Sequence, residues 1–142
     1  MFKKTLMLFM LLSTFNVYAD EQANVTVKLP LGAAFISYVS YASQNVPADY
    51  TKTMLVGSSD SQTLKLGDIV LVDTLASLSD HKCDYFQVVN EGNVTVSYTG
   101  ASFYPVYSFD NASVLNLVHQ SGTNFFKSCS RPALLKDSLY AN

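Results

Sequence analysis

The chain has 142 residues, nine of them basic and eleven acidic, for a formal net charge of −2. Hydrophobic residues make up 49% of it and aromatic residues 13%, while only 14% are charged. That balance excludes a disordered chain, which needs low hydrophobicity and high net charge, and it offers no basic run for tracking nucleic-acid phosphates.

Residues 1–19 read MFKKTLMLFMLLSTFNVYA. Lys3 and Lys4 give a positive start, Leu6 to Leu12 form an apolar run, and Val17-Tyr18-Ala19 ends on a small residue. This is the layout of a cleaved secretory signal peptide, too short for a membrane span. The expected product is one secreted, β-rich globular domain over 20–142, either periplasmic or extracellular. Its seven basic and eleven acidic residues leave a net charge of −4, which disfavours anionic lipid as well as nucleic acid. No second long apolar stretch follows, so no membrane span is expected. The short, lysine-led leader is of the bacterial type. In that setting the acceptor-like triplets at Asn24, Asn93 and Asn111 carry no glycan.

Asn24 to Leu29 alternates as a strand, with Val25, Val27 and Leu29 on one face and Pro30 and Gly32 ending it. Two readings compete over 33–43. Serines at 37, 40 and 43 leave Phe35, Tyr38, Val39 and Ala42 as a helical stripe, whereas the Ile, Val and Tyr content suits a strand. The spacing tips the reading to a helix. Thr53 to Val56 predicts a short strand, and Gly57 to Ser61 a turn. Gln62 to Leu66 and Ile69 to Asp73 flank Gly67-Asp68, predicting a hairpin in which Leu66 faces Ile69 and Leu64 faces Leu71.

Asp84 to Val89 and Val94 to Thr99 predict a second hairpin, with Val89 opposite Val94, Gln87 opposite Val96 and Tyr85 opposite Tyr98. Alternation places Cys83 on that apolar side and makes the side with Phe86 and Val88 the more polar one. Residues 101–109 predict a strand that Pro105 confines to a sheet edge or a bulge. Asp110 or Asn111 would cap a short helix with Val114, Leu115, Leu117 and Val118 as its stripe and Gly122 past its end. Thr123 to Ser128 returns as a strand, and Pro132 opens a last helical segment ending near Tyr140. The predicted fold is mainly β or α+β: an antiparallel sheet of about five to seven strands, as a partly open barrel or a sandwich, with one or two short helices and one disulfide.

Cys83 and Cys129 are the only cysteines, and in an oxidising compartment they are expected to pair. That pairing leaves no thiol nucleophile. Asp80-His81-Lys82-Cys83-Asp84 places ligand-type atoms in a row, but neighbours on a strand point to opposite faces and no second ligand pair follows, so no metal or other cofactor is expected. No GxSxG, Walker or dinucleotide glycine pattern occurs, and no catalytic residue stands out. His81 and His119 read as surface histidines. Asp68 and Asp73 flank one strand as candidate paired carboxylates, but Asp68 is explained by the turn and nothing in the sequence brings a second acid near it.

What remains is surface chemistry. Tyr98, Phe103, Tyr104 and Tyr107 combine large rings with polar tips, the residue type favoured at protein interfaces and sugar-stacking faces. The primary expectation is a secreted, non-catalytic protein that binds a protein or glycan partner through an aromatic, hydroxyl-rich face. A small extracytoplasmic hydrolase is the second, and it requires a histidine in a concave pocket beside a carboxylate. The third is an inhibitor or immunity-type protein with Asp80 to Asp84 or Asn90 to Asn93 as its protruding loop.

Overall fold

Strands form wherever apolar and polar side chains alternate with a period of two, because that pattern gives a sheet one buried face. A computed structural model of the chain describes residues 21–31, 35–75, 80–100, 105–124 and 127–132. Its strands are β1 (Gln22–Lys28), β2 (Ile36–Ala42), β3 (Thr51–Met54), β4 (Ser59–Lys65), β5 (Ile69–Leu75), β6 (Asp80–Val88), β7 (Gly92–Thr99), β8 (Val106–Phe109) and β9 (Leu115–Asn124). The leader over 1–19, the start of the aromatic segment at 101–104 and the helix expected after Pro132 lie outside the described residues.

The strands form two sheets, one ordered β4-β1-β7-β8 and the other β3-β2-β5-β6-β9. Neighbours are antiparallel except β1 and β7, which run parallel. Val25, Val27, Leu64, Val94, Val96 and Tyr98 of the first sheet pack against Val39, Tyr41, Val70, Val72, Phe86 and Val88 of the second in one buried cluster. The fold is therefore a two-sheet sandwich, one of the two predicted alternatives, with nine strands among the described residues in place of five to seven. No helix occurs among the described residues.

Both predicted hairpins are crossings between sheets. β4 pairs with β1, whereas β5 pairs with β2 and β6. The reason lies in the turn. Asp68 N–H donates to the Lys65 carbonyl at 3.0 Å, so the turn is 65–68 and Gly67, at φ +91°, occupies its third position. That is a type II arrangement, whose twist splays the flanking strands instead of pairing them. β6 and β7 likewise part company after Val88. Consequently Phe86 and Val88, on the side read as polar, enter the main core, and Cys83 and Tyr85 face outward into a smaller cluster with Ile69 and Leu71.

Two expected helices are strands. Residues 36–42 form β2, an interior strand buried on its inner face and largely half-buried on its outer one, and Ser37 is satisfied inside by a 3.0 Å hydrogen bond with Thr74. At 111–118 the capping chemistry is real but short. Asn111 Oδ1 accepts from the Ser113 hydroxyl at 2.7 Å, one turn follows, and β9 begins at Leu115. Leu115 and Leu117 point to the core and Val118 to the outer cluster, and a register shift at Tyr85/Phe86 then keeps His119 on the outer side as well. The stripe read as helical is thus split between the two faces, Val114, Leu115 and Leu117 inside and Val118 outside. β8 is an edge strand beginning after Pro105, as the missing amide hydrogen requires.

Two tyrosine–aspartate pairs cross the core. Tyr98, 1% exposed, donates to Asp84 Oδ2 at 2.7 Å. Asp84 is 0% exposed; Gln120 donates to its Oδ1 at 2.6 Å, and the Lys82 ammonium lies 3.9 Å from Oδ2. Tyr41 donates to Asp60 Oδ2 at 2.6 Å and Tyr50 to Oδ1 at 2.7 Å. Burial, reinforced by the facing carboxylates, holds the Tyr41 and Tyr98 hydroxyls far above the ordinary tyrosine range.

Tyr98→Phe is expected to cost about 2 kcal/mol in urea unfolding, because it strips a buried carboxylate oxygen of its short donor. Tyr41→Phe should cost less, since Asp60 keeps Tyr50; equal losses would contradict this account. The folded protein also retains two tyrosine protons that the unfolded chain releases above about pH 10. Stability should be level below that pH and fall as pH rises past it, by about 1.4 kcal/mol per pH unit for each group. Urea midpoints between about pH 8 and pH 11 check this, and a level profile would refute it.

Candidate functional site

The outer face of the five-stranded sheet is covered at its centre by residues 127–132, a strap that runs back over the strands. Several attachments hold it there, among them a hydrogen bond from the Thr123 hydroxyl to the Lys127 carbonyl. Cys129 is bonded to Cys83 of β6, 46 residues earlier. Tyr85 donates its hydroxyl to the Ser130 carbonyl at 2.6 Å. Cys129 N–H donates to Asp73 Oδ2 at 3.4 Å. Arg131 reaches the Ala48 carbonyl at 2.7 Å, the Asp49 carbonyl at 3.3 Å and the Thr51 hydroxyl at 3.1 Å.

Between strap and sheet lies a cleft of about 330 Å³. Strand alternation selects what lines it. Tyr38 and Ser40 of β2, Thr51 of β3, Leu71 and Asp73 of β5 and His81 of β6 all project to the outer face, and Ser128, Cys129 and Arg131 close it from above. Register brings Tyr38, Asp73 and Cys83 into one row across three strands.

Its polar centre is an Asp73–His81 pair. His81 Nδ1 lies 2.6 Å from Asp73 Oδ1, with side chains 10% and 9% exposed. Asp73 sits in an otherwise apolar buried stretch, Ile-Val-Leu-Val before it. Both its oxygens are occupied, one by the imidazole and one by the Cys129 amide. The acceptors of Arg131 are two neutral carbonyls and a hydroxyl, and among the described residues no carboxylate pairs with it.

The sequence-predicted aromatic face is redistributed. Tyr98 is in the core, its hydroxyl occupied by Asp84, which removes it from any surface. Tyr107 is half-buried, packed edge-on against Phe86 at 5.1 Å and beneath Lys82 at 5.8 Å. Phe103 and Tyr104 lie outside the described residues. His119 packs on the Tyr85 ring at 5.4 Å, on the outer face but not lining the cleft. Asp80 to Asp84 belongs to β6 and is not a protruding loop. The 90–91 connection is short and tied down, Asn90 donating to the Ser113 carbonyl at 3.2 Å.

A second hydroxyl-rich surface exists on the outer face of the four-stranded sheet, but its groups satisfy one another. Thr63 bonds Asn24 at 3.0 Å, Asn24 bonds Asn93 at 2.9 Å and Thr26 bonds Ser61 at 2.8 Å. The cleft, not this face, gathers unlike chemical groups. Among the described residues no helix is long and apolar enough to cross a membrane.

Sequence reasoning weighed Asp73 only against Asp68 and set it aside, and it missed Tyr38, Ser40, Thr51, Ser128 and Arg131 as site residues. One signal was present: Arg131, the sole arginine, lies two residues beyond Cys129 and is carried by the disulfide wherever Cys83 points. No protein-family model matches the chain, and no curated protein or solved structure does either.

Cys129→Ser should lower the unfolding free energy by about 4 kcal/mol, the entropy of closing a loop 46 residues apart in sequence. Urea titration of the variant checks the value. A loss below about 1 kcal/mol would mean that the bridge does not hold the strap to the sheet.

Proposed function

We propose that this protein is an exported, non-catalytic binding module that takes a hydroxylated, glycan-type group into the cleft beneath its C-terminal strap. The supporting observation is the meeting, in one concave space, of a tyrosine ring, three hydroxyls, the Asp73–His81 pair and the charge of Arg131. Sugars are recognised by that combination: a ring face for the C–H surface and pre-positioned donors and acceptors for the hydroxyls. The volume suits one small group, at the low end of about 300–1,000 Å³ for ligand pockets. Export follows from the leader-like residues 1–19 and agrees with the disulfide. The binding face is thus assigned to the cleft in place of the Tyr98 to Tyr107 region, and the partner is a glycan, free or carried on a protein.

One observation favours a second reading. His81 lies beside a carboxylate in a concave site, the arrangement an extracytoplasmic hydrolase requires. Asp73, however, also anchors the strap through Cys129.

A glycan array followed by calorimetry tests the proposal. Binding of at least one glycan is expected, weakened about tenfold or more by Tyr38→Ala and by Arg131→Gln. Failure of every glycan, or affinities untouched by both substitutions, would overturn it. Turnover of a glycan or ester substrate that disappears in His81→Gln would establish the hydrolase instead.

A further inference from the structure

The alternation that sets adjacent residues on opposite faces also sets His81 and Cys83 on the same one, with Asp73 directly across from Cys83 on β5. The ligand atoms of Asp73, His81 and Cys129 lie within 4.8 Å of one another, and Cys83 is bonded to Cys129. An imidazole nitrogen, a carboxylate oxygen and the Cys129 sulfur therefore lie together, drawn from β6, β5 and the strap, with the Cys83 sulfur bonded to the last of them. While the sulfurs are bonded to each other they are poor ligands. Once reduced they are not.

We propose that reduction of the Cys83–Cys129 bridge converts this cluster into a tetrahedral zinc site formed by Cys83, Cys129, His81 and Asp73. Zinc is bound by this mixture of thiolate, imidazole and carboxylate, with the four donor atoms about 3.3–3.8 Å apart. The spacings here bracket that range: 2.6 Å between His81 Nδ1 and Asp73 Oδ1 and 4.8 Å at the widest among the three residues. Closing on the ion needs side-chain rotation within a few ångströms, not rearrangement of the sheet. The cleft opens onto Cys129, His81 and Asp73 and provides the route for the ion.

The chemistry balances. A thiol reductant supplies two electrons and two protons, the S–S bond breaks to give two thiols, and the reductant becomes its own disulfide. Zinc then displaces both thiol protons into solvent. The single proton of the neutral imidazole, shared from Nδ1 with Asp73 in this structure, passes through solvent to Nε2, which frees the Nδ1 lone pair for the metal. The outcome is an exchange of cross-links. The strap is tied to β6 by a disulfide under oxidising conditions and by a metal ion under reducing ones. The site shares Asp73, His81 and Cys129 with the cleft, but it does not rest on the glycan reading.

Cobalt(II) titration of the purified chain tests it, after reduction with a phosphine that is itself oxidised to the phosphine oxide and adds no thiol. Expected are one equivalent of metal, a thiolate-to-cobalt charge-transfer band and the visible bands of a tetrahedral ion, all displaced by zinc. The oxidised protein and Cys83→Ser should show no such bands. His81→Ala should weaken binding about tenfold or more. Equal affinity in His81→Ala and the parent would reduce the site to an adventitious dithiol and overturn the proposal. A melting series covers loss of structure on reduction: zinc should raise the melting temperature of the reduced parent and not of reduced His81→Ala. A reduced chain whose melting or circular dichroism zinc leaves unchanged would also overturn it.

Discussion

The placement of Asp84 constrains the rest of the molecule. A carboxylate with no solvent exposure is tolerated only if each oxygen has a donor. Here Oδ2 is served by Tyr98 from the opposite sheet and Oδ1 by Gln120 from the adjoining strand β9. Both donors are met in a single register of β6. A slip of one residue would turn Asp84 to the outside and bring Cys83 and Tyr85 inward. The same register that satisfies Asp84 therefore aims Cys83 at the strap and His81 at the cleft. The core's polar requirement and the site's construction are two sides of one strand.

The Tyr41–Asp60–Tyr50 group does for β2 and β4 what Tyr98–Asp84 does for β6 and β7: each joins one sheet to the other through a hydroxyl–carboxylate hydrogen bond. Valines such as Val25, Val39, Val72 and Val96 supply most of the hydrophobic contact, but that contact is non-directional and tolerates sliding. A charged hydrogen bond in a low-dielectric interior is short and directional. Two of them, in different parts of the core, fix how the sheets lie against each other. Registration of the sheets in turn fixes the outer face on which the cleft is built.

Strand existence was legible because alternation is local: Val25, Val27 and Leu29 declare their face without reference to any partner. The disulfide was legible from a compartment argument and a count of two. Pairing was not legible, because it depends on details finer than residue type. Gly67 in the third position of its turn instead of the second sends β4 and β5 to different sheets. Val114, Leu115, Leu117 and Val118 look helical because the turn before β9 and both faces of the strand carry apolar residues. The ambiguity over 33–43 has a related root, since β2 carries apolar residues on both faces and a buried serine on the inner one, which hides the alternation. The site was illegible for a related reason. Asp73 meets His81 and Cys83 only through the β5–β6 register, which no spacing along the chain encodes.

Asp73 distinguishes the cleft from the rest of the surface. A strand buried at nearly every position would be more simply built from apolar residues throughout, as its neighbours Ile69 to Val72 are. A carboxylate placed there is desolvated and stabilises the fold only so far as its partners compensate. Those partners are specific: an imidazole within the cleft and the amide of the bridged cysteine. Asp84 is explained by joining the sheets and Asp60 by holding two tyrosines, whereas Asp73 joins neither sheet to the other. Its carboxylate instead gathers the strap, the disulfide and His81 around one open space, where a buried charge can act on something other than the fold.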